Sequence, residues 1–362
     1  MKFLSAFAKV ILVCSISTFT AQVIPTKDFN NFFVSFQDGF FRQIEIQPIV
    51  SYKAGDEFVA YVDTRGNLRI YDGKERKDVT VLNVEYQVSD HLMGYKIAGG
   101  LKMYDGGKFQ TLTTFAKEFQ VMDSIIVYQD SRYNTLNTYW KGRMYPVQTY
   151  FSDFQFPTTI GENILIFRDN SNTYHAFWNG AIIEIGTYNN EVLNFEIGTD
   201  VFCFKDPYSQ TFYVFDKGEF LQVDNLPIKK YKAGRGFVVY EDMNGNLWRY
   251  EKGEKTQLSN FSSSKWEVKD DIVIWMENSY LFAYSKGVKT EICSYSPEKY
   301  LLKNNTFAFQ DILGGVSVFA DGKVTQITNI NNCEFFIYGN NVLVNLPNKS
   351  SIVYSNGKLY NN

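Results

Sequence analysis

The stretch that decides the fold is "NLWRYEKGEKTQL", residues 246–258, because close copies of it recur along the chain. One copy, "NLRIYDGKERKDV", occupies residues 67–79, and another, "LFAYSKGVKTEI", occupies residues 281–292. Each copy has an apolar segment, a short turn with glycine and a second alternating segment, which is the pattern of a β-hairpin. The sequence therefore predicts a repeated hairpin.

The turn glycines recur at intervals of 34, 34, 35, 38, 38, 35, 34, 35 and 35 residues. They are Gly39, Gly73, Gly107, Gly142, Gly180, Gly218, Gly253, Gly287, Gly322 and Gly357. A period this steady indicates a repeat architecture. It covers nearly the whole chain after its first thirty or so residues.

Two aromatic residues and one acidic residue recur within each unit and predict four strands. Residues 231–258 illustrate the pattern: "KYKAG", "GFVVYED", "NLWRY" and "EKTQL" are four short segments bounded by turn residues. No window after the N-terminal segment has sustained helical spacing of its apolar residues. Aromatic residues make up 17% of the 362 residues, and this composition also favours sheet over helix.

Four-stranded antiparallel units that repeat many times, with strands apolar on both faces, are typical of a β-propeller. Residues 30–360 resemble the broad superfamily of WD40-like and TolB-like propellers, although the chain has no WD dipeptide. The fold expected is all-β, with about nine blades of roughly 35 residues; eight or ten blades, or two smaller rings, are the alternatives. The hairpin at residues 32–48 is expected to close the ring with the C-terminal blade.

The N-terminus "MKFLSAFAKVILVCSISTFTAQ" has a short basic region and an apolar run, as secretory signal peptides do. We expect residues 1–21 to be removed by cleavage after Ala21, leaving residues 22–362 as a single propeller domain. Val13 is a poor match to a lipobox, so lipid attachment at Cys14 is not expected. No later apolar run has spanning length, and a periplasmic, cell-surface or secreted protein is expected.

Charge and cysteine content narrow the functional classes. The formal net charge of −3 argues against nucleic acid as a partner. One local basic cluster is interpreted as a solvated face, with a partner patch as the alternative; it comprises Lys229, Lys230, Lys232 and Arg235.

Three cysteines follow the signal peptide, namely Cys203, Cys293 and Cys333. We expect three inert thiols, with a Cys293–Cys333 disulfide as the alternative.

An aromatic-x-Asp motif ends the second strand of six units. Its aspartates are Asp63, Asp130, Asp169, Asp206, Asp242 and Asp311. Aspartate at a strand end commonly accepts hydrogen bonds from the N–H groups of the next turn, so these are predicted to be structural turn acids. A ring of carboxylates that binds cations or sugar hydroxyls is the alternative.

No catalytic, metal or cofactor site is predicted. There are only two histidines, which leaves almost no room for a catalytic triad or a multi-histidine metal site. His91 lies in a predicted turn and His175 at a packing position. Phosphate-binding glycine motifs are absent. Several acidic residues in predicted turns are interpreted as solvated, namely Asp56, Glu57, Asp153, Asp270 and Asp271. Glycosidase chemistry, which needs only two carboxylates, is the alternative for them.

The two 38-residue intervals flank Gly180 and mark insertions in "FPTTIGEN" and "IGTYNNEVLN". Loops that break a repeat often carry function, because the scaffold does not need them. The candidate binding residues near them are Tyr174, His175, Trp178, Tyr188 and Tyr208; core packing is the alternative for each.

The leading functional hypothesis is an exported, non-catalytic platform that binds a protein or envelope partner. The rival is a carbohydrate-active or glycan-binding propeller that uses aspartate and aromatic residues of the irregular region at residues 150–210. An exposed apolar face would favour the first hypothesis, and an aromatic strip beside clustered, non-repeated carboxylates would favour the second.

Overall fold

A computed structural model describes residues 23–362, apart from residues 83, 152, 153, 190, 225, 262 and 264. The predicted signal peptide and Cys14 lie outside the described residues. The described part of the chain is all β, with 37 strands in nine antiparallel sheets and no helix, so the predicted all-β propeller is confirmed. Accordingly, the described residues include no helix that could cross a membrane.

The first sheet has six strands. They are β1 (Ile24–Lys27), β2 (Phe32–Gln37), β3 (Phe40–Ala54), β4 (Val59–Asp63), β5 (Leu68–Tyr71) and β6 (Arg76–Thr80). The first half of β3 pairs with β2, and its second half, from Ile49 onward, pairs with β4. This sheet therefore joins two units: an N-terminal unit (β1, β2 and residues 40–48) and blade 1 (residues 49–54 and β4 to β6).

Blades 2 to 5 follow in chain order. Blade 2 has β7 (Tyr86–Val88), β8 (Leu92–Ile97), β9 (Gly100–Asp105) and β10 (Lys108–Thr113). Blade 3 has β11 (Ala116–Val121), β12 (Ile125–Asp130), β13 (Thr135–Trp140) and β14 (Arg143–Thr149). Blade 4 has β15 (Ile164–Arg168), β16 (Thr173–Trp178) and β17 (Ala181–Thr187). Blade 5 has β18 (Phe195–Ile197), β19 (Val201–Lys205), β20 (Phe212–Asp216) and β21 (Glu219–Asp224).

Blades 6 to 9 complete the ring. Blade 6 has β22 (Ile228–Ala233), β23 (Val238–Asp242), β24 (Leu247–Glu251) and β25 (Glu254–Ser259). Blade 7 has β26 (Trp266–Lys269), β27 (Ile272–Glu277), β28 (Tyr280–Ser285) and β29 (Val288–Cys293). Blade 8 has β30 (Tyr300–Lys303), β31 (Thr306–Gln310), β32 (Val316–Ala320) and β33 (Lys323–Thr328). Blade 9 has β34 (Glu334–Tyr338), β35 (Asn341–Asn345), β36 (Ser351–Ser355) and β37 (Lys358–Asn361).

The quoted stretch forms the hairpin of β24 and β25. Glu251 pairs with Glu254, which leaves Lys252 and Gly253 as a two-residue turn. Their φ angles are 50° and 88°, and two successive positive values define the hairpin turn that matches the twist of the flanking strands. Glycine has no Cβ atom and adopts the φ of 88° at no steric cost, which explains why glycine recurs at the second turn position.

The blades surround a common axis and leave two faces. First strands of neighbouring blades contact one another, as β18 does β22 and β30 does β34, so they line the axis. Because the strands alternate in direction, the first-to-second turns and the glycine turns lie together on one face, called here the glycine face. The turns after the second strand and the connections between blades lie on the other, called the aspartate face. The core fills the space between blades, where for example Phe212 of blade 5 packs 5.3 Å from Tyr240 of blade 6, centroid to centroid.

The N-terminal unit is a wedge between blades 9 and 1. Phe36 in β2 lies 5.1 Å from Tyr360 in β37, and the Thr26 and Ser351 hydroxyls are 2.7 Å apart. On the axial side, Tyr52 of blade 1 hydrogen-bonds Tyr338 of blade 9. In the described residues the wedge has three strands and no strand at the axis. The ten predicted glycine hairpins therefore belong to nine blades and one incomplete unit.

Blade 4 departs from the predicted four strands. It lacks a regular first strand, because residues 154–163 form only a single bridge, between Ile160 and Leu165. Pro157 in this segment has no N–H to donate to a ladder, which explains why a regular strand does not form. The described cysteines are free thiols, so the alternative Cys293–Cys333 disulfide is not formed.

Candidate binding site

The aspartate face is built on repeated carboxylate turns. In each of the six predicted units the carboxylate accepts two backbone N–H groups of the turn that follows, as Asp242 does from Asn244 and Asn246, both at 2.9 Å. The other five are Asp63, Asp130, Asp169, Asp206 and Asp311. Asp28 makes the same turn in the wedge and is a seventh copy. The aromatic-x-Asp motif does not predict it, because the residue two positions earlier is Thr26.

In four of these turns, hydrogen bonds favour the ionised form of the carboxylate, namely at Asp63, Asp169, Asp206 and Asp242. Burial opposes ionisation of Asp242, but hydrogen bonds from Asn246 and from the Trp248 indole outweigh it and lower the pKa of this aspartate. The same balance lowers the pKa of Asp63 and of Asp206. These carboxylates accept hydrogen bonds from their own turns and from neighbouring side chains such as Trp248 and Tyr188, which leaves them engaged in structure.

Three of the five candidate binding residues come together on this face. Tyr188 stacks on Tyr208 with centroids 5.9 Å apart and planes 3° apart, and Tyr174 meets Tyr188 edge-on at 6.1 Å. Tyr174 and Tyr188 are buried, whereas Tyr208 is 66% exposed. The Tyr188 hydroxyl donates to Asp206, 2.9 Å away. Only Tyr208 thus presents a free ring face to solvent.

The other two candidates lie elsewhere. His175 belongs to blade 4, where it stacks on Phe167 at 5.3 Å and bonds Asp169 at 3.0 Å. Trp178 is at the opposite end of β16, on the glycine face, and its indole N–H donates to Asp200 at 2.8 Å. Sequence proximity grouped five residues that the strand direction separates.

A cleft of about 440 Å³ lies where blade 4 lacks its first strand. Its lining is mainly aromatic and aliphatic, and includes Phe151, Phe154, Phe156, Tyr174, Val192 and Leu193. Arg168 also lines it; its guanidinium bonds the carbonyl oxygens of Tyr188 and Asn189 and lies 5.3 Å from the Tyr174 ring. Arg168 fixes the inserted loop, a role the sequence did not reveal because a lone arginine at a strand end has no distinguishing pattern.

The aspartate face also exposes many large apolar side chains. Among the described residues, eleven on this face are between 61% and 81% exposed: Phe29, Ile46, Val50, Val81, Tyr133, Phe151, Val192, Tyr208, Leu226, Ile312 and Leu313. On the glycine face only Phe40, at 66%, reaches that range among described residues. Single exposed apolar residues are ordinary, but their concentration on one face marks an interaction surface.

The glycine face has a different character, because charged first turns meet there across the axis. Lys303 of blade 8 lies 2.7 Å from Asp56 of blade 1 and 2.5 Å from Asp90 of blade 2. Lys269 of blade 7 lies 3.1 Å from Glu162 of blade 4. These residues and Asp123 are called here the axial cluster. Asp56 was interpreted as solvated, yet it is held by this ion pair.

The axial cluster contains a carboxylate, that of Asp123, whose ionisation is disfavoured. Burial, followed by the charges of Glu162 and Asp90, raises the pKa of Asp123 to about 7. Burial and Asp56 likewise raise the pKa of Asp90 against the opposing effect of Lys303. Asp270, also interpreted as solvated, is 8% exposed and accepts the N–H of Asn304. Within the described part of the chain, no group of three or more potential ligands is arranged to hold a metal ion.

A comparison with known protein families agrees with the propeller architecture. A family model described as a 10-bladed beta propeller domain matches residues 18–360. No curated protein matches the chain. Among solved structures, the computationally designed Ika8 protein has 12% identity and a TM-score of 0.32 over 84% of this chain and 99% of its own. The CRINKLY WD40 ectodomain of the Arabidopsis thaliana receptor kinase ACR4 has 8% identity and a TM-score of 0.30 over 73% of this chain and 90% of its own.

Proposed function

Because the chain belongs to the 10-bladed β-propeller family, we propose that it is an exported, non-catalytic platform whose aspartate face binds a protein or envelope partner. The signal-peptide pattern of residues 1–21 supports export. Rigid repeated blades support a platform, since propellers offer broad surfaces built on a fixed scaffold. The proposal assigns no catalytic residue.

The observation that carries the proposal is the exposed apolar set of the aspartate face. Ile312 and Leu313 are adjacent in the turn that Asp311 holds, so their positions are fixed by the turn and not by their own burial. Apolar side chains on a rigid turn lose little entropy on binding and gain the free energy of removal from water. They are therefore the expected centre of contact.

A comparative pull-down tests the proposal. Tagged protein beginning at Gln22 is mixed with solubilised envelope of the source organism, and bound proteins are identified by mass spectrometry. The variant Ile312→Ser/Leu313→Ser is expected to lose a partner that wild type retains in stoichiometric amount. The matched glycine-face variant Phe40→Ser/Val288→Ser is expected to retain it. Equal capture by all three proteins would contradict the assignment of the face.

Glycan binding is the second candidate, and the stacked pair of Tyr188 and Tyr208 favours it. Exposed Tyr208 on buried Tyr188 offers a supported aromatic face of the kind on which sugar rings stack. A glycan array probed with wild type and Tyr208→Ala tests this candidate. The glycan function predicts that Tyr208→Ala abolishes binding to the array. It also predicts that Ile312→Ser/Leu313→Ser leaves this binding intact, and this pair of results would favour the glycan function over the platform function.

A further inference from the structure

A second cavity on the aspartate face, between blades 7 and 8, has an unusual wall. Its volume is about 480 Å³, and it is lined by Trp266, Trp275 and Met276 of blade 7 and by Tyr300 of blade 8. A neighbouring cavity of about 460 Å³ shares Lys265, Met276 and Ser296 with it. The two cavities are adjacent, and each is large enough for a small organic molecule or the end of a peptide.

The wall contains a buried hydrogen-bond donor with no acceptor. Trp266 is 5% exposed, and its indole N–H has no partner among the described residues. The neighbouring Trp275 differs, because its indole N–H donates to Glu277 at 3.1 Å. Buried N–H groups without acceptors are uncommon in folded proteins, since the lost hydrogen bond to water is not replaced. The indole nitrogen is itself covered by neighbouring side chains, so an acceptor on a ligand reaches it only when those side chains move aside.

Two ammonium groups border the same cavity. The Nζ of Lys230 lies 4.8 Å from the Trp266 ring centroid, and the Nζ of Lys265 donates to the Ser296 hydroxyl at 3.4 Å. Neither lysine has a carboxylate oxygen within 4 Å in the described part of the chain. Lys230 does lie in the field of Glu196, whose pKa burial raises and the lysine opposes. Both ammonium groups are thus available to a ligand.

Two carboxylates, those of Glu267 and Glu298, also line the cavity, and they offset the charges of Lys230 and Lys265. Glu267 accepts the Tyr300 hydroxyl at 2.5 Å. Burial and this interaction raise the pKa of Tyr300 to about 12, so the phenol stays protonated and keeps donating. Glu298, the other acidic residue of the lining, follows Pro297 in the connection between the blades. The wall therefore offers three unsatisfied or weakly satisfied donors above an apolar floor.

We propose that this cavity binds an apolar group that carries a carboxylate. The apolar body lies on the floor formed by Trp275, Met276 and Leu281. The carboxylate lies between the ammonium groups of Lys230 and Lys265, with one oxygen accepting the Trp266 indole N–H. A free organic acid and the C-terminal residue of a peptide share this chemistry. The inference needs no partner on the rest of the face and goes beyond the platform function.

Isothermal titration calorimetry on the whole mature chain tests the proposal with three small probes. They are phenylacetate, N-acetylphenylalanine and N-acetylphenylalaninamide, which keeps the ring and lacks the carboxylate. The two acids are expected to bind with one site and a dissociation constant of about 1 mM, since probes of this size bind weakly. The amide is expected to bind at least about tenfold more weakly. A hexapeptide ending in phenylalanine distinguishes the sources: tighter binding than the acids indicates a peptide terminus, and equal binding a free acid.

Two variants connect the binding to the named groups. Trp266→Phe keeps the ring and removes the N–H, and it is expected to weaken the acids about tenfold and the amide far less. Lys230→Met/Lys265→Met removes both charges and keeps apolar side chains of similar length, and it is expected to abolish the preference for acid over amide. Lys358→Met is the matched control and should change nothing. Absence of saturable binding by either acid, or equal affinity of acid and amide, would overturn the proposal.

Discussion

Asp242 shows how a single residue organises the aspartate face. Its carboxylate accepts the backbone N–H groups of Asn244 and Asn246, the Asn246 side-chain amide and the Trp248 indole. One side chain thereby fixes a turn and positions the third strand that follows it. The aromatic-x-Asp motif predicts the turn, but the two side-chain donors become visible only in three dimensions.

Removing this carboxylate should therefore destabilise the whole ring. Asp242→Ala is expected to lower the free energy of unfolding by about 1–3 kcal/mol, because buried donors lose their acceptor. Asp321→Asn is the control: the Asp321 carboxylate is 76% exposed and pairs with Lys286, a contact worth under about 1 kcal/mol, and asparagine tolerates the positive φ of this turn position. Urea unfolding measures both. Equal losses in the two variants would contradict the structural role of Asp242.

Asp123 predicts a pH dependence of opposite sign from that of the turn aspartates. Its pKa in the folded protein is about 7, above the ordinary value near 3.9, so between these values the folded state holds a proton that the unfolded state has lost. Stability from this group is therefore greatest at low pH and declines as pH rises toward 7. The reason is that ionisation places a charge in a buried site, and beside Glu162 and Asp90 as well.

Asp123→Asn should remove this decline. Wild type is expected to lose about 1–3 kcal/mol of stability between pH 5 and pH 8 through this group, and the variant correspondingly less. Asparagine retains the oxygen that accepts the N–H of Asp90, so the turn itself is preserved. Thermal unfolding at the two pH values, with Asp321→Asn as the control, provides the measurement. Parallel pH profiles for wild type and Asp123→Asn would refute the assignment.

At the scale of elements, the hairpin was the most predictable unit and the first strand the least. A two-residue turn such as Lys252–Gly253 requires positive φ angles. Glycine adopts such angles easily, so these turns appear in the sequence as glycines at a fixed period. The first strand has no comparable requirement. Whether it forms depends on neighbouring blades, as residues 154–163 show by staying irregular.

The wedge makes a prediction of its own, because it packs on the last blade in one hydrophobic cluster that includes Phe36, Val353 and Tyr360. Tyr360→Ala is expected to cost about 1–3 kcal/mol by removing the ring that packs on Phe36. Leu359→Ala, one residue earlier and 45% exposed, should cost less than about 1 kcal/mol. Removal of residues 350–362, which deletes β36 and β37, should be more damaging than either change. Unfolding free energies measure all three, and a fully stable truncated chain would contradict a ring joined between its N- and C-terminal units.

At the scale of the whole molecule, the two faces divide the chemistry. Charged first turns meet at the axis on the glycine face, as Lys303 does with Asp56 and Asp90. The exposed apolar residues concentrate on the aspartate face, with Ile312 and Leu313 among the most exposed. The period of the repeat predicts such a ring, but not which turns carry apolar residues into solvent, because turn sequence and strand direction must be combined to place them on one side.

The candidate site was correspondingly harder to predict than the fold. Tyr174, Tyr188 and Tyr208 were grouped by proximity in sequence and do meet, whereas Trp178 points to the other face because β16 carries it there. The sequence did not predict the cavity lined by Trp266. An unpaired indole N–H is a property of packing and leaves no mark in the sequence.

Site-specific photo-crosslinking in the source organism tests the central claim, that the aspartate face is the contact surface, most directly. Benzoylphenylalanine is placed at Leu313 on the aspartate face and, in a separate protein, at Leu359 on the glycine face; both positions are exposed. The account predicts a discrete protein or envelope adduct from position 313 and none from position 359. An adduct from position 359 alone, or none from either position, would contradict it.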